Sequence, residues 1–255
     1  MEQKKVEGIV IGETLYSESS KILKVFTKDG IISVMSKGCR KPKSKLRETS
    51  TKLIYATFNI NYKKEGISTL INADIIYLFK NILMDYKDMI KISYALYLVE
   101  LTTQTIKEEQ LDRIDYESIY NLLINSLIKI NEGLNPLAVI SIVELKYLDY
   151  LGVKPSIDGC SLCGSDKNII TITADSYGLI CKNCYKNERI INNETIKMLR
   201  MLYYVDMKRV TKLDIDSNIL KEIIEFLNEY YDKHTGIYLK TKDNLKNLSK
   251  LNYTN

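Results

Sequence analysis

The sequence predicts an α+β protein: an N-terminal five-stranded β-barrel, then an α-helical domain that carries an inserted cysteine ribbon. Three observations make the prediction. The first 80 residues hold five short apolar segments of strand period, the apolar spacing turns helical from Asn81, and four of the five cysteines fall between Cys160 and Cys184. The implied boundaries are a barrel over 1–80 and a helical domain over 81–255, interrupted by the ribbon at 156–190.

In "TKLIYATFNINY" the residues Ile54, Ala56, Phe58, Ile60 and Tyr62 recur with period two, the pattern of a strand with one buried face. Upstream, "KILKVFT" and "IISVMS" are β-branched apolar runs on either side of Lys28-Asp29-Gly30. An Asp-Gly pair between such runs signals a hairpin. With "VEGIVIGETLY" before them and "ISTLINADIIY" after, there are five strands with polar connections. That number suits a Greek-key barrel of the OB type, whose strand faces and loops bind oligonucleotides.

From Asn81, "NILMDYKDMIKISYALYLVELTTQTIK" places Ile82, Tyr86, Met89, Ile90, Tyr94, Leu96 and Tyr97 on one helical stripe. A second helix, "YESIYNLLINSLIKIN", follows the polar turn at Asp115. A third opens at Asn135-Pro136, a capping residue followed by a proline at the first helical position, and ends at Gly152. Beyond the cysteines come "ETIKMLRMLYYV" and a last helix with Ser217 as its expected cap. The cysteine segment is thus expected to sit between helices of one bundle.

Cys160 and Cys163 form one CxxC pair and Cys181 and Cys184 another. Two intervening residues let both thiolates of a pair face one point, so two such pairs read as a four-thiolate structural zinc site. Surface disulfides would need an oxidising compartment, and an iron–sulfur cluster or a redox dithiol would use the same residue type. The spacing matches zinc. "IITITADSYGLI" between the pairs alternates toward a Gly turn, as a short hairpin does. With four protein donors no coordination position is left for water, so the ion is expected to fold the segment and perform no chemistry.

The net charge is +5, but the first 80 residues hold 15 basic against 8 acidic side chains, leaving 22 against 24 for the rest. Within "KGCRKPKSKLR" stand Lys37, Arg40, Lys41, Lys43, Lys45 and Arg47 with no acid among them. A solvated loop is the plain reading of a charge run. Six uncompensated cations point instead to an anion-binding surface. The N-terminus lacks the pattern of a secretory signal, and no apolar run nears the roughly 20 residues needed to span a bilayer. A cytoplasmic, nucleoid-associated protein is expected, with Cys39 as a free thiol.

Catalytic patterns are missing from the sequence. It has no phosphate-binding glycine loop, HExxH or GxSxG, and its one histidine, His234, ends the last helix. Glu100 and Glu144 read as ordinary helix charges. Of the 19 tyrosines most lie on helical stripes, where they pack the core, while Tyr55 and Tyr62 in the barrel are candidates for stacking on bases. The chain is expected not to be an enzyme.

"YSESSKILKVFTKDGIISVMSKGCRKPKS" resembles the opening barrel of the bacterial RecO family of recombination mediators. "ELKYLDYLGVKP", the cysteine ribbon and "HTGIYLKTK" then follow in that family's order, so the resemblance spans the chain. It implies a repair protein that binds single- and double-stranded DNA and anneals complementary strands. It also implies partners: RecR, the C-terminal tail of the single-strand binding protein, and RecA indirectly. By the resemblance Lys37 and the cations from Arg40 to Arg47 fall on the family's basic loop, and the four cysteines on its ribbon. Two rivals share parts of the pattern: a zinc-containing RNA-binding or transcription-associated protein, and a protein-interaction scaffold.

Overall fold

The computed structural model describes residues 2–84, 89–108 and 115–242, which fall into two compact units. The first comprises Met1–Ala95 with Asp115–Asn131, the second Leu96–Ile114 with Glu132–Asn255.

In the first unit β1 (Glu2–Leu15), β2 (Lys21–Thr27), β3 (Gly30–Ser36), β4 (Tyr55–Tyr62) and β5 (Ser68–Tyr77) close into a barrel of order β1-β2-β3-β5-β4. Every pairing is antiparallel except β3 with β5. This is the OB-type barrel that the strand count predicts. One long strand serves two partners: β1 pairs with β4 from Glu2 to Ile9 and with β2 from Ile9 to Leu15. A register shift between Val10 and Gly12 inserts an extra residue, and such a bulge bends a strand enough to turn the corner.

The β2–β3 hairpin differs in detail from the expected Asp-Gly turn. Thr27 pairs with Gly30, so Lys28 and Asp29 make the turn and Gly30, at φ +122°, opens β3. The Thr27 hydroxyl locks it, donating to Gly30 O (2.8 Å) and accepting from Asp29 N (3.1 Å).

The alternation in β4 reaches the core as expected. Ile54, Ala56, Phe58 and Ile60 pack with Val10, Leu23, Val25, Val34 and Leu70, and Tyr62 lies partly buried against them. Part of the opposite face, at β2, is covered as well, because α3 (Tyr116–Asn131) belongs to the barrel's unit although it follows residue 80. Tyr120 of α3 meets the fully buried Phe26 edge-on at 5.6 Å. The short α1 (Lys80–Leu83) is pinned to the end of α3, Asn81 Nδ2 donating to Asn131 O at 2.8 Å. The single helix predicted from Asn81 is therefore two, α1 and α2 (Met89–Glu108); Tyr86 lies outside the described residues.

The second unit is built on α4 (Pro136–Tyr150), in which every residue from Ala138 to Leu145 is buried. It packs against α5 (Asn193–Tyr204) and α6 (Ser217–His234). Asn135 caps α4 through Leu137 N (3.0 Å), as predicted. The cap of α6 is Asp216, one residue before the predicted Ser217; its carboxylate accepts from Asn218 N and Ile219 N. Tyrosines tie the bundle together: Tyr231 donates to Glu144 O (2.9 Å) and Tyr203 to Asp149 (2.6 Å), while Tyr147 and Thr102 share a hydrogen bond of 2.9 Å.

Glu144 and Glu100 are structural anchors rather than ordinary helix charges. Burial raises the pKa of Glu144, whose carboxyl accepts from the Tyr97 hydroxyl. Glu100 receives Lys240 N and Thr241 N, fastening the segment that contains the buried Leu239. No described helix is long and apolar enough to cross a membrane.

Phe58→Ala should cost the barrel about 3–5 kcal/mol, the usual cost of such a cavity. Hydrogen exchange at the β4 amides measures it, and an unchanged exchange rate there would contradict this account of the core.

Candidate nucleic-acid groove and metal centre

The basic loop leaves β3 at Lys37 and folds as consecutive tight turns, with Lys41 N donating to Gly38 O, Ser44 N to Lys41 O and Arg47 N to Ser44 O. Buried anchors hold it to the barrel. Cys39 is a free, buried thiol, Leu46 packs on the core, and Ser50 shares a 2.8 Å hydrogen bond with Ser36. Lys37, Arg40, Lys41, Lys43, Lys45 and Arg47 are all exposed. Among the described residues none of the six is paired with a carboxylate.

The six do different things. Arg40 turns its guanidinium back on the β1–β2 loop, donating to Glu18 O at 2.9 Å and Ser17 O at 3.3 Å, while its backbone N–H donates to Ser19 O. Lys37 and Lys41 instead line a groove of about 910 Å³ in the barrel's mouth, and Lys63 from the β4–β5 loop joins them. Lys43, Lys45 and Arg47 do not line it. Met35 and Ile67 contribute apolar surface, Tyr16 stands at the exit of β1, and no carboxylate lines the space. In OB barrels these same loops, between strands 1 and 2 and between strands 4 and 5, flank the oligonucleotide site.

Sequence reasoning missed Lys63 and Tyr16 and favoured two other tyrosines. Tyr55 is buried, with its hydroxyl donated to Glu7, and burial with that contact pushes its pKa up to about 12. Tyr62 packs on the core with Lys4 Nζ 4.0 Å above its ring. Neither ring is free to stack.

The cysteine ribbon lies between α4 and α5. Its strands β6 (Ser156–Cys160), β7 (Ile169–Thr173) and β8 (Gly178–Cys181) form a sheet of order β6-β8-β7, so the predicted hairpin is β7–β8 with β6 added in parallel. Gly178 is required there. Its φ is +140°, and a Cβ would stand 2.3 Å from Ser156 O. His234 stacks on Tyr177 at 4.2 Å and reaches Ala174 O at 2.8 Å, so the only histidine ties α6 to the hairpin turn.

The Sγ atoms of Cys160, Cys163, Cys181 and Cys184 all lie within 4.8 Å of one another, and all four cysteines are free. Cys163 and Cys181 are 3.7 Å apart at sulfur. A tetrahedral ion with metal–sulfur bonds of about 2.3 Å spaces its ligands by about 3.8 Å, so the cluster can hold a metal ion.

Charge points the same way. Burial raises the Cys160 thiol, but N–H groups of Cys181, Leu162 and Cys163 outweigh it and bring it down to about 6. Cys184 is pushed up to about 12 by hydrogen bonding to Cys163, by burial and by the other two sulfurs. The cluster without a cation carries one thiolate readily and resists the last, and a bound dication removes that repulsion.

The fold and these two sites define an OB-barrel protein with a cysteine ribbon, able to hold a metal ion, set among helices. The chain belongs to the RecO family: residues 1–79 match the family described as "Recombination protein O N terminal" and residues 86–243 the one described as "Recombination protein O C terminal". It is 32% identical over 242 residues to the DNA repair protein RecO of Bacillus pumilus, covering 93% of this chain and 91% of that one. It is 30% identical to the protein of that name from Listeria monocytogenes (96% and 95% covered), and 32% identical to that from Bacillus cereus (96% and 98%).

Because every ligand must lose its proton, metal affinity should fall with pH, by at least roughly tenfold per unit for each proton displaced. Below about 6 the fall should steepen as Cys160 also protonates. Competition with a coloured chelator between pH 8 and 5 measures this, and a flat profile would exclude thiolate ligation.

Proposed function

We propose that the chain is a recombination mediator in DNA repair that binds single- and double-stranded DNA and anneals complementary strands. The observation that carries the reading is the groove of Lys37, Lys41 and Lys63, free of carboxylates, in the mouth of an OB barrel of the RecO family. Phosphates bind the three lysines. Lys43, Lys45 and Arg47 extend the basic surface, and Arg40 holds the neighbouring loop while adding its charge. Neutralising two strands together releases counterions and lowers their repulsion, so base pairing drives annealing and no covalent step is needed. The chain is not an enzyme. It works in the cytoplasm, at the nucleoid.

In this reading Cys160, Cys163, Cys181 and Cys184 hold one structural zinc ion, which sets the ribbon's fold and leaves no open position for chemistry. The family implies the partners: RecR, the C-terminal tail of the single-strand binding protein, and RecA, loaded onto DNA that this protein and RecR help to uncover. Elemental analysis should find one zinc per chain. Cys181→Ser should lose it and destabilise the second unit while leaving DNA affinity within about twofold, since the groove belongs to the first. Iron in the purified protein would overturn the zinc assignment.

Replacing Lys37, Lys41 and Lys63 together by Ala should flatten the salt dependence of single-strand binding, reducing the log–log slope by roughly 2, at about 0.7 per phosphate contact. An unchanged slope in the folded variant would remove the groove from the DNA-binding surface.

A further inference from the structure

We propose that Tyr16 is a platform on which the groove stacks an unpaired base, so that this site takes single-stranded nucleic acid in preference to a closed duplex. The inference rests on the phosphate-binding role of Lys37, Lys41 and Lys63 and adds to it a contact that carries no charge.

Tyr16 is 62% exposed although it lines the groove, and among the described residues neither its ring nor its hydroxyl has a partner. The tyrosines of the barrel strands are engaged: Tyr55 with Glu7, Tyr62 under Lys4, Tyr77 against Phe79. A large ring left in water beside apolar Met35 and Ile67 is surface that a flat apolar ligand can cover. Nucleobases are such ligands, and aromatic side chains beside basic ones are how single strands are held without regard to sequence. In a duplex the base faces are stacked on one another and offer Tyr16 nothing.

The backbone that carries the ring is also held in place before any strand arrives. Tyr16 N donates to Ser20 O at 3.1 Å, closing the loop on itself. The loop is fastened from outside by the Arg40 guanidinium on Ser17 O and Glu18 O, by Arg40 N on Ser19 O, and by Gly38 N on Ser20 Oγ (3.1 Å). With the loop ordered in advance, only the side-chain rotation of Tyr16 is lost when it stacks. Arg40 is therefore a positioning residue for this contact.

The test uses the full-length protein with three ligands of equal length: oligothymidine, the same strand with abasic sugars, and duplex. Tyr16→Ala should weaken oligothymidine binding roughly 5- to 150-fold, the range for loss of one base–aromatic stack, with the salt slope unchanged. Abasic and duplex affinities should stay within about twofold of the parent, and Tyr16→Phe should bind like the parent, since the ring rather than the hydroxyl makes the contact. Tyr16→Trp would give this tryptophan-free chain one reporter, quenched by oligothymidine and not by the abasic strand.

Parent-like oligothymidine binding by Tyr16→Ala would overturn the proposal, as would an equal loss on the abasic strand. If in that case the triple lysine variant still flattens the salt slope, stacking alone has failed and the groove reading stands. If the lysine variant also binds like the parent, both fall together.

Discussion

The groove exists because of one short parallel contact. β3 and β5 meet only through Val34 with Ser68 and Met35 with Thr69, yet this pairing closes the barrel. It brings the end of β3, and with it Lys37 and the turns beyond, beside the start of β5, where Lys63 and Ile67 lie. Without it the two stretches would have no reason to meet. The closure depends in turn on the bulge in β1, which lets one strand pair with both β2 and β4. A constraint on backbone hydrogen bonding in the sheet thus gathers three cations into one space. Each is uncompensated there because the residues that line the space with them are neutral.

The second unit meets a different constraint with the same economy of means. The ribbon buries Ile157, Ile172, Leu179 and Ile180, but so small a segment makes only a small core, and small segments of that kind need a staple. Four sulfurs within 4.8 Å would repel one another as thiolates: backbone N–H groups hold Cys160 down, whereas hydrogen bonding to Cys163, burial and the neighbouring sulfurs push Cys184 up. A cation turns that repulsion into cohesion. Around the sulfurs, Gly178 lets the hairpin approach Ser156, and His234 joins the turn to α6, so the cysteine segment is drawn together and fastened to the bundle.

Most of the framework was legible in the sequence because the signals are local. The period of two in β4 reports a buried face directly, and the CxxC spacing reports sulfurs that need only one turn to converge. Where two neighbouring residues can both do the job, local pattern is silent: Asp216 and Ser217 are both good caps, and the backbone at the helix start chose Asp216. The division at residue 80 follows the change of period. The barrel nonetheless gathers α3 to itself, because Phe26 points away from the core and needs a cover, which Tyr120 supplies. In the groove, Lys37 and Lys41 were visible as part of a charge run, whereas Lys63 lies far along the chain and joins them only through the β3–β5 closure. Tyr16 ends the first apolar segment much as Tyr62 ends another, and only the structure shows that β1 has stopped at Leu15, so the sequence did not set it apart from Tyr55 or Tyr62.

The division of labour within the basic loop bears on how a strand would be held. In a charge run the cations look equivalent. Here Arg40 is committed to backbone carbonyls of the β1–β2 loop, two lysines reach the groove, and the remaining cations stand outside it. Arginine suits the fastening role, because its planar fork can donate to two carbonyls at once, and lysine suits the groove, because a single mobile charge follows a phosphate without fixing its orientation. Three such contacts on a single strand release only about two counterions in the slope of affinity against salt. Binding built from so few mobile contacts is shallow at physiological salt and changes only gradually as salt falls. A shallow hold lets a strand slide or leave as soon as its complement pairs with it, whereas a deep one would compete with the duplex it is meant to help form. A rigid loop beside mobile lysines therefore fits the proposed annealing role better than a continuous rank of fixed cations would.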